Sequence, residues 1–202
     1  MSDKPFYEIQ DFPKLKALAD NWEIIRDEFI NLNAPLLHIN RVNKSHTEVY
    51  DELVEHMEQG GEYGWLKGWG QDGPNSDWIQ YGLVILDSVI PYAIDKMPET
   101  IELLRSIQGI KVCALVKLKS NSFITSHTHP EIKEEGLLQL HITLDAAMER
   151  NFAYLNVNGE FKQHKSGSAV VFDGSLHHFA LNASSCDRTI LYMEFEKNKQ
   201  IR

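Results

Sequence analysis

The sequence predicts a mainly β protein, an antiparallel sandwich or barrel carried on N-terminal helices, and three observations predict it. Before residue 110 the apolar residues recur at three- and four-residue steps. After it they recur at steps of two, and the second half is punctuated by hairpin-type pairs such as Asn158-Gly159 and Asp173-Gly174. The chain has 202 residues, 43% hydrophobic and 24% charged, with no repeat, low-complexity tract or long linker. It therefore reads as one domain, with residues 1–110 mainly helical support and loop and 111–202 the β core. The net charge of −9 argues against nucleic acid or an anionic membrane as the main partner.

The elements follow in order. Phe12, Leu15, Leu18, Trp22, Ile25 and Phe29 mark one amphipathic helix, with Pro13 in its first turn and Asp11 available as a cap. A second helix is expected from Ser45 to Met57, ended by Gly60-Gly61. The segment from Tyr63 to Pro74, dense in glycine and aromatics, reads as a structured loop. A third helix is expected from about Glu99 to Ile107. Strands are then expected at Val112–Lys119, Leu137–Leu144, Phe152–Val157, Ser168–Phe172 and Thr189–Phe195.

Cys113 and Cys186 are too few for a disulfide framework and include no CxxC, so free thiols in a reducing compartment are expected. Met-Ser-Asp-Lys-Pro-Phe has no apolar signal core. The longest apolar stretch, Leu83 to Ile94, contains Asp87, Ser88 and Pro91 and is too short to span a bilayer. A cytoplasmic protein without a membrane span is the expectation.

Of nine histidines, His38, His46, His56 and His164 sit in polar or helical contexts and read as ordinary surface or hydrogen-bonded residues. The rest fall in the β half. In Ser126-His127-Thr128-His129-Pro130, residues two apart on an extended strand point to one side, so both histidines can face one cavity. Imidazole is a common ligand of transition metals. Phe172-Asp173-Gly174-Ser175-Leu176-His177-His178 runs an apolar strand into a turn and delivers a further histidine. Ten residues on, Arg188 opens the apolar strand Thr-Ile-Leu-Tyr-Met-Glu-Phe. A buried arginine there needs an anion: either a local acid such as Asp187 or the carboxylate of a ligand. His-x-His, a strand histidine at His141, a turn-delivered histidine and a later arginine describe a metal beside a carboxylate pocket.

At these residues the chain resembles the aspartyl/asparaginyl β-hydroxylases, a family of Fe(II)- and 2-oxoglutarate-dependent dioxygenases. Gly167-Ser-Ala-Val-Val-Phe-Asp-Gly-Ser-Leu-His-His178 with Arg188 is similar to the family's glycine, a strand ending Phe-Asp-Asp, a histidine four residues after the second Asp and an arginine ten further on. Leu138-Gln-Leu-His141 is similar to its Arg-x-His strand, and Phe12-Pro13, Trp22 and Arg26-Asp27-Glu28 to its opening helix. The resemblance implies a double-stranded β-helix, a jelly-roll or cupin-like barrel holding one iron in its mouth. It implies His127 and His178 as iron ligands, Arg188 on the distal carboxylate of 2-oxoglutarate, and His141 as a further hold on that cosubstrate. The implied reaction uses molecular oxygen to hydroxylate an unactivated C–H of an amino acid, a peptidyl residue or an acyl group.

Two positions depart from the pattern. Where most such dioxygenases carry Asp or Glu, and some β-hydroxylases glycine, this chain has His129. It is read as a third metal ligand or a group beside the metal, with pointing away left open. Gln139 replaces the arginine that can contact a substrate carboxylate, and glutamine offers no charged fork. Substrate contacts are expected from Gln139 and from the aromatic loop, Trp65 with Trp69 and Trp78 forming either an apolar lid or an anchor for the helices. His177, facing opposite to His178, is read as a non-ligand, and Asp173 as holding the turn. Two other readings remain: a cupin-type metalloprotein using His127, His129, Glu134 and a later histidine, or a β-helix binding domain without catalysis. The oligomeric state is open.

Overall fold

The computed structural model describes residues 4–70 and 73–200, so Met1 to Asp3, Gln71-Asp72 of the aromatic segment and Ile201-Arg202 lie outside the described residues. A short strand β1 (Phe6–Tyr7) and a 3-10 turn (Ile9–Asp11) lead into two helices where the periodicity implied one, α1 (Pro13–Asp20) and α2 (Trp22–Ile30). Asn21 makes the break: its backbone leaves helical geometry (φ −98°, ψ 21°) and its side-chain amide donates to the Ala17 carbonyl at 2.8 Å. Asp11 ends the 3-10 turn rather than capping, and Phe12 takes the N-cap with Pro13 behind it. The stripe read from sequence still buries together, because Phe12, Leu15, Leu18, Ile25 and Phe29 share one core.

Helix α3 (His46–Glu58) begins as expected, with Ser45 and Glu48 forming a reciprocal capping box. After it, the segment read as a loop is a hairpin, β2 (Leu66–Gly70) and β3 (Gly73–Ile85), extended by β4 (Ser88–Val89). Glycine and turn residues hid it. Gly68 is needed because a Cβ there would lie 2.1 Å from the Trp78 ring, and β3 gains its backbone partners from a strand far away in sequence. α4 (Pro91–Ile94) precedes α5 (Pro98–Arg105), whose first turn is capped from another helix: Glu28 accepts from the backbone N–H of Glu99 and Thr100, each at 2.8 Å.

The remaining strands are β5 (Ile110–Leu118), β6 (Ser122–His127), β7 (Leu137–Asp145), β8 (Ala153–Val157), β9 (Glu160–Gln163), β10 (Ala169–Phe172), β11 (His178–Asn182) and β12 (Arg188–Glu196). α6 (Pro130–Glu134) lies between β6 and β7, and α7 (Lys197–Gln200) follows β12. One sheet runs β1-β10-β7-β12-β5-β3-β2 with β4 beside β3, and a second runs β6-β11-β8-β9. The named strand pairs are antiparallel, and the two sheets form a double-stranded β-helix. Among the described residues, no helix is long and apolar enough to cross a membrane.

The larger sheet has two unlike faces. Leu138, Leu140, Ile142 and Leu144 of β7 and Leu191, Met193 and Phe195 of β12 pack outward against Leu15, Leu18, Ile25 and Phe29 of the helices. The alternate residues Gln139 and His141, and Arg188, Ile190, Tyr192 and Glu194, line a cavity between the two sheets. With both faces covered, β7 is buried along all but its last residue.

Candidate active site

His127 ends β6 and His178 begins β11, and the two are directly paired across the smaller sheet. His129 lies two residues on, held extended (φ −117°, ψ 86°) because Pro130 excludes the helical region for the residue before it. Its backbone N–H donates to the Gly174 carbonyl at 3.0 Å, which ties the His-x-His segment to the turn delivering His178. The same turn is held by Asp173, whose Oδ1 accepts from the Ser175 N–H (2.9 Å) and hydroxyl (2.6 Å). One ring nitrogen from each of His127, His129 and His178 lies within 4.8 Å of the others.

Hydrogen bonds fix which nitrogen that is. His127 Nδ1 lies 2.7 Å from the Thr125 carbonyl, His178 Nδ1 2.8 Å from the Leu176 carbonyl and His129 Nδ1 3.0 Å from Glu131 Oε1. Each partner is an acceptor, so each Nδ1 carries the proton and each Nε2 keeps its lone pair. Burial lowers His127 to about 4 and His178 to about 3, which keeps both rings neutral at physiological pH. Three imidazoles oriented from behind by acceptors suit a transition metal, and the donor set fits one.

Deeper in the cavity Arg188 is 1% exposed, and its Nε and Nη1 have no hydrogen-bond partner among the described residues. Asp187, the local acid weighed from sequence, turns away to accept the Ser120 N–H at 3.0 Å. Burial lowers the guanidinium to about 9, so it remains charged at neutral pH. Beside it stand two buried histidines. His141 Nδ1 lies 3.2 Å from His164 Nε2, and His164 Nδ1 has no partner. An unused buried acceptor is cheaper than an unused buried donor. That assigns the proton of His164 to Nε2, makes it the donor to His141, and turns His141 Nε2–H toward the cavity. His164, set aside from sequence as ordinary, is thus fully buried against the site.

The opposite end of the cavity is polar in a different way. The Glu194 carboxylate is reached by the Tyr192 hydroxyl and by Gln139 Nε2 at 3.4 Å, and His46 Nε2 lies 3.7 Å from its Oε2. Burial pushes this carboxylate up, but the His46 ring beside it, the Tyr192 hydrogen bond and nearby positive charge outweigh that and hold it at about 2. Arg41, on the segment before α3, stacks over the Trp78 ring at 5.3 Å. Gln139 is closely fitted: a Cβ at Gly174 would lie 2.3 Å from its Oε1, so that turn accepts only glycine without displacing it. The aromatic residues divide their roles. Trp69 and Trp78 line the cavity edge to face, their centroids 5.6 Å apart, and Trp69 meets the His127 ring at 4.7 Å. Trp65 lies instead in the core against Tyr81 and is not part of the cavity lining, which corrects the substrate contact expected of it.

The family model for aspartyl/asparaginyl β-hydroxylase matches residues 19–198. The chain belongs to that family. As a β-hydroxylase family member it has no match among curated proteins. Among solved structures it is similar to a predicted oxalate decarboxylase from Thermotoga maritima (16% identity, 59% of this chain, 80% of that one, TM-score 0.39). It is also similar to a cupin domain of an XRE-family regulator from Enterobacter cloacae (15% identity, 59% and 96%, TM-score 0.40) and to the Cnp3 cupin domain of Schizosaccharomyces pombe (7% identity, 60% and 66%, TM-score 0.40). Two residues of the alternative readings fall outside the hydroxylase cavity. Glu134 is exposed on α6 and does not join the histidine group, and His177 is exposed. Sequence reasoning missed Arg41, His46 and Glu194. Glu194 was visible as the third alternate residue after Arg188, whereas Arg41 carried no local signal.

Proposed function

We propose that this β-hydroxylase family member is an Fe(II)- and 2-oxoglutarate-dependent dioxygenase. The observation that carries the reading is Arg188: a buried, unpaired cation lining the same cavity as three converging histidines. A buried charge without a partner is costly, so the site is incomplete without an anion. His127, His129 and His178 would hold the iron through Nε2. Arg188 would take the distal carboxylate of 2-oxoglutarate as a two-point fork, and His141, oriented by His164, would donate a further hydrogen bond to the cosubstrate. Iron with 2-oxoglutarate and oxygen supplies the oxidation that inserts a hydroxyl at an unactivated C–H while the 2-oxo acid loses CO₂. Trp69, Trp78 and Ile124 keep the space around the histidines apolar and exclude water. The cupin-type ligand set is disfavoured by the exposure of Glu134 and gives Arg188 no task.

The test needs no substrate. Fe(II) is added anaerobically, 2-oxoglutarate is titrated, and the visible metal-to-ligand charge-transfer band is followed. A band that saturates in the wild type and needs about 10²-fold more 2-oxoglutarate in Arg188→Ala is expected, as loss of a buried charge-assisted fork worth ~3 kcal/mol implies. A metal-loaded protein that gives no band sinks the reading.

A further inference from the structure

The end of the cavity opposite Arg188 holds polar atoms that the reading above leaves unused. Arg188 and Glu194 are six residues apart on the same face of β12, roughly 20 Å along the strand, so the two ends are separate places. At the Glu194 end, Arg41 is 9% exposed and its Nη1 has no hydrogen-bond partner among the described residues. Gln139 is 1% exposed, and its Oε1 is likewise unpartnered while its Nε2 is fixed on the Tyr192 hydroxyl at 2.7 Å. Fixing Nε2 there means that Oε1 is an acceptor in want of a donor. Glu194 Oε2 completes the set: the His46 ring, its Nε2 3.7 Å away, is its ion-pair neighbour, and a carboxylate oxygen keeps lone pairs for a further donor. Arg41 and Glu194 line one cavity, yet no ion pair joins them among the described residues. A buried cation and a buried anion that face the same space without closing on each other leave a gap with one donor side and one acceptor side.

We infer that this gap binds the ammonium and carboxylate of a free α-amino acid, with Arg41 on the carboxylate and Gln139 Oε1 and Glu194 Oε2 on the ammonium. The inference that this amino acid is the molecule hydroxylated rests on the dioxygenase reading; the binding site itself does not. Three features select this ligand. A simple dicarboxylate would bring its second negative charge against Glu194. An amine without a carboxylate would leave Arg41 unpaired. A peptide would replace the ammonium by an amide with one N–H, too few donors for two acceptors. From this gap to the histidines the wall is aromatic, Arg41 lying over Trp78, Trp78 against Trp69 and Trp69 against the His127 ring, so the side chain of the amino acid is apolar. Gln139, which lacks the fork of an arginine, fits this arrangement: the carboxylate is taken by Arg41 from another segment, and the glutamine supplies an acceptor in place of a positive charge.

The experiment titrates purified protein, loaded with redox-inert Zn(II), with single L-amino acids by calorimetry and thermal shift, with and without 2-oxoglutarate. An apolar amino acid is expected to bind saturably, and its N-acetyl and carboxamide derivatives at least tenfold more weakly. Arg41→Gln and Glu194→Gln should each weaken it at least tenfold, while 2-oxoglutarate affinity stays within twofold. Arg41 also packs on Trp78, so if Arg41→Gln does not fold, Arg41→Lys carries that arm by keeping the charge and losing the fork. Equal binding of the blocked derivatives, an unchanged affinity in the folded variants, or no binding by any amino acid overturns the inference. Amino-acid binding that persists where 2-oxoglutarate fails to bind sustains the site and overturns the dioxygenase reading alone.

Discussion

The two faces of β12 are built from the same nine residues, and they differ in what they leave unmet. Outward, Leu191, Met193 and Phe195 are apolar and completely buried, and they join a core continuous with the helices. Inward, Arg188, with Gln139 on the neighbouring strand and Arg41 on the segment before α3, keeps buried polar atoms without partners. A folded chain tolerates few such atoms, because each forfeits the hydrogen bond water had given it. Among the described residues most of them gather at the cavity, Tyr81 Oη and Gln200 Oε1 lying elsewhere, and that gathering marks where ligands complete the structure. The outer face supplies the stability that holds this incomplete inner face in position.

The largest effects should come from the histidines of the inner lining. His178→Ala is expected to lower metal affinity by more than the 10- to 100-fold typical of losing an outer partner of a ligand, so by ~10² or more. His177→Ala, altering an exposed ring, should change it less than about twofold. Metal titration of both variants measures the contrast. Equal losses would mean that His178 does not ligate.

The faces can next be set against each other on one strand. Leu191→Ala should destabilise the protein by ~2–5 kcal/mol in urea unfolding, the range for a core leucine. Arg188→Met should have the opposite sign. Replacing an uncompensated buried charge by an apolar side chain of similar length is expected to stabilise the ligand-free protein by ~1–4 kcal/mol while 2-oxoglutarate binding falls. A destabilised Arg188→Met would show that the arginine is already satisfied in the fold and would remove its claim on a ligand.

How much of this was readable in the chain follows the same division. Period-two alternation located β5, β7, β8, β10 and β12 to within about two residues, because each strand has chemically unlike faces or a wholly apolar one. His127, His129, His178 and Arg188 were legible because each sits at a strand end or turn with local punctuation. The β2–β3 hairpin was not: its glycines make room for Trp78, a reason that exists only once the strands are paired. Arg41, His46 and Glu194 meet from three distant segments, and no local pattern announces such convergence. The single helix expected from Phe12 to Phe29 failed at Asn21, where one side-chain hydrogen bond outcompetes helix continuation that the apolar period alone would permit.

The smallest expected effect is a pH dependence, and it tests whether the inner face around Arg188 tolerates a second positive charge. Burial holds His141 and His164 well below the ordinary histidine range, with their mutual proximity and Arg188 adding to it for His141 and Arg188 for His164. Both rings stay neutral in the folded state at pH values where the unfolded chain, near 6.5, takes up protons. Stability is therefore complete above about pH 6.5 and falls as the pH drops toward the folded values. Acidification to pH 5.5 therefore weakens the fold through each such histidine. Other buried histidines titrate too, so the measurement is a difference. His164→Gln keeps a donor to His141 Nδ1 but cannot titrate. Between pH 7.5 and 5.5 it should lose less unfolding free energy than the wild type, by on the order of 1 kcal/mol. Equal losses in the two proteins would mean that His164 takes up a proton as readily folded as unfolded, and the neutral pair behind Arg188 would have to be abandoned.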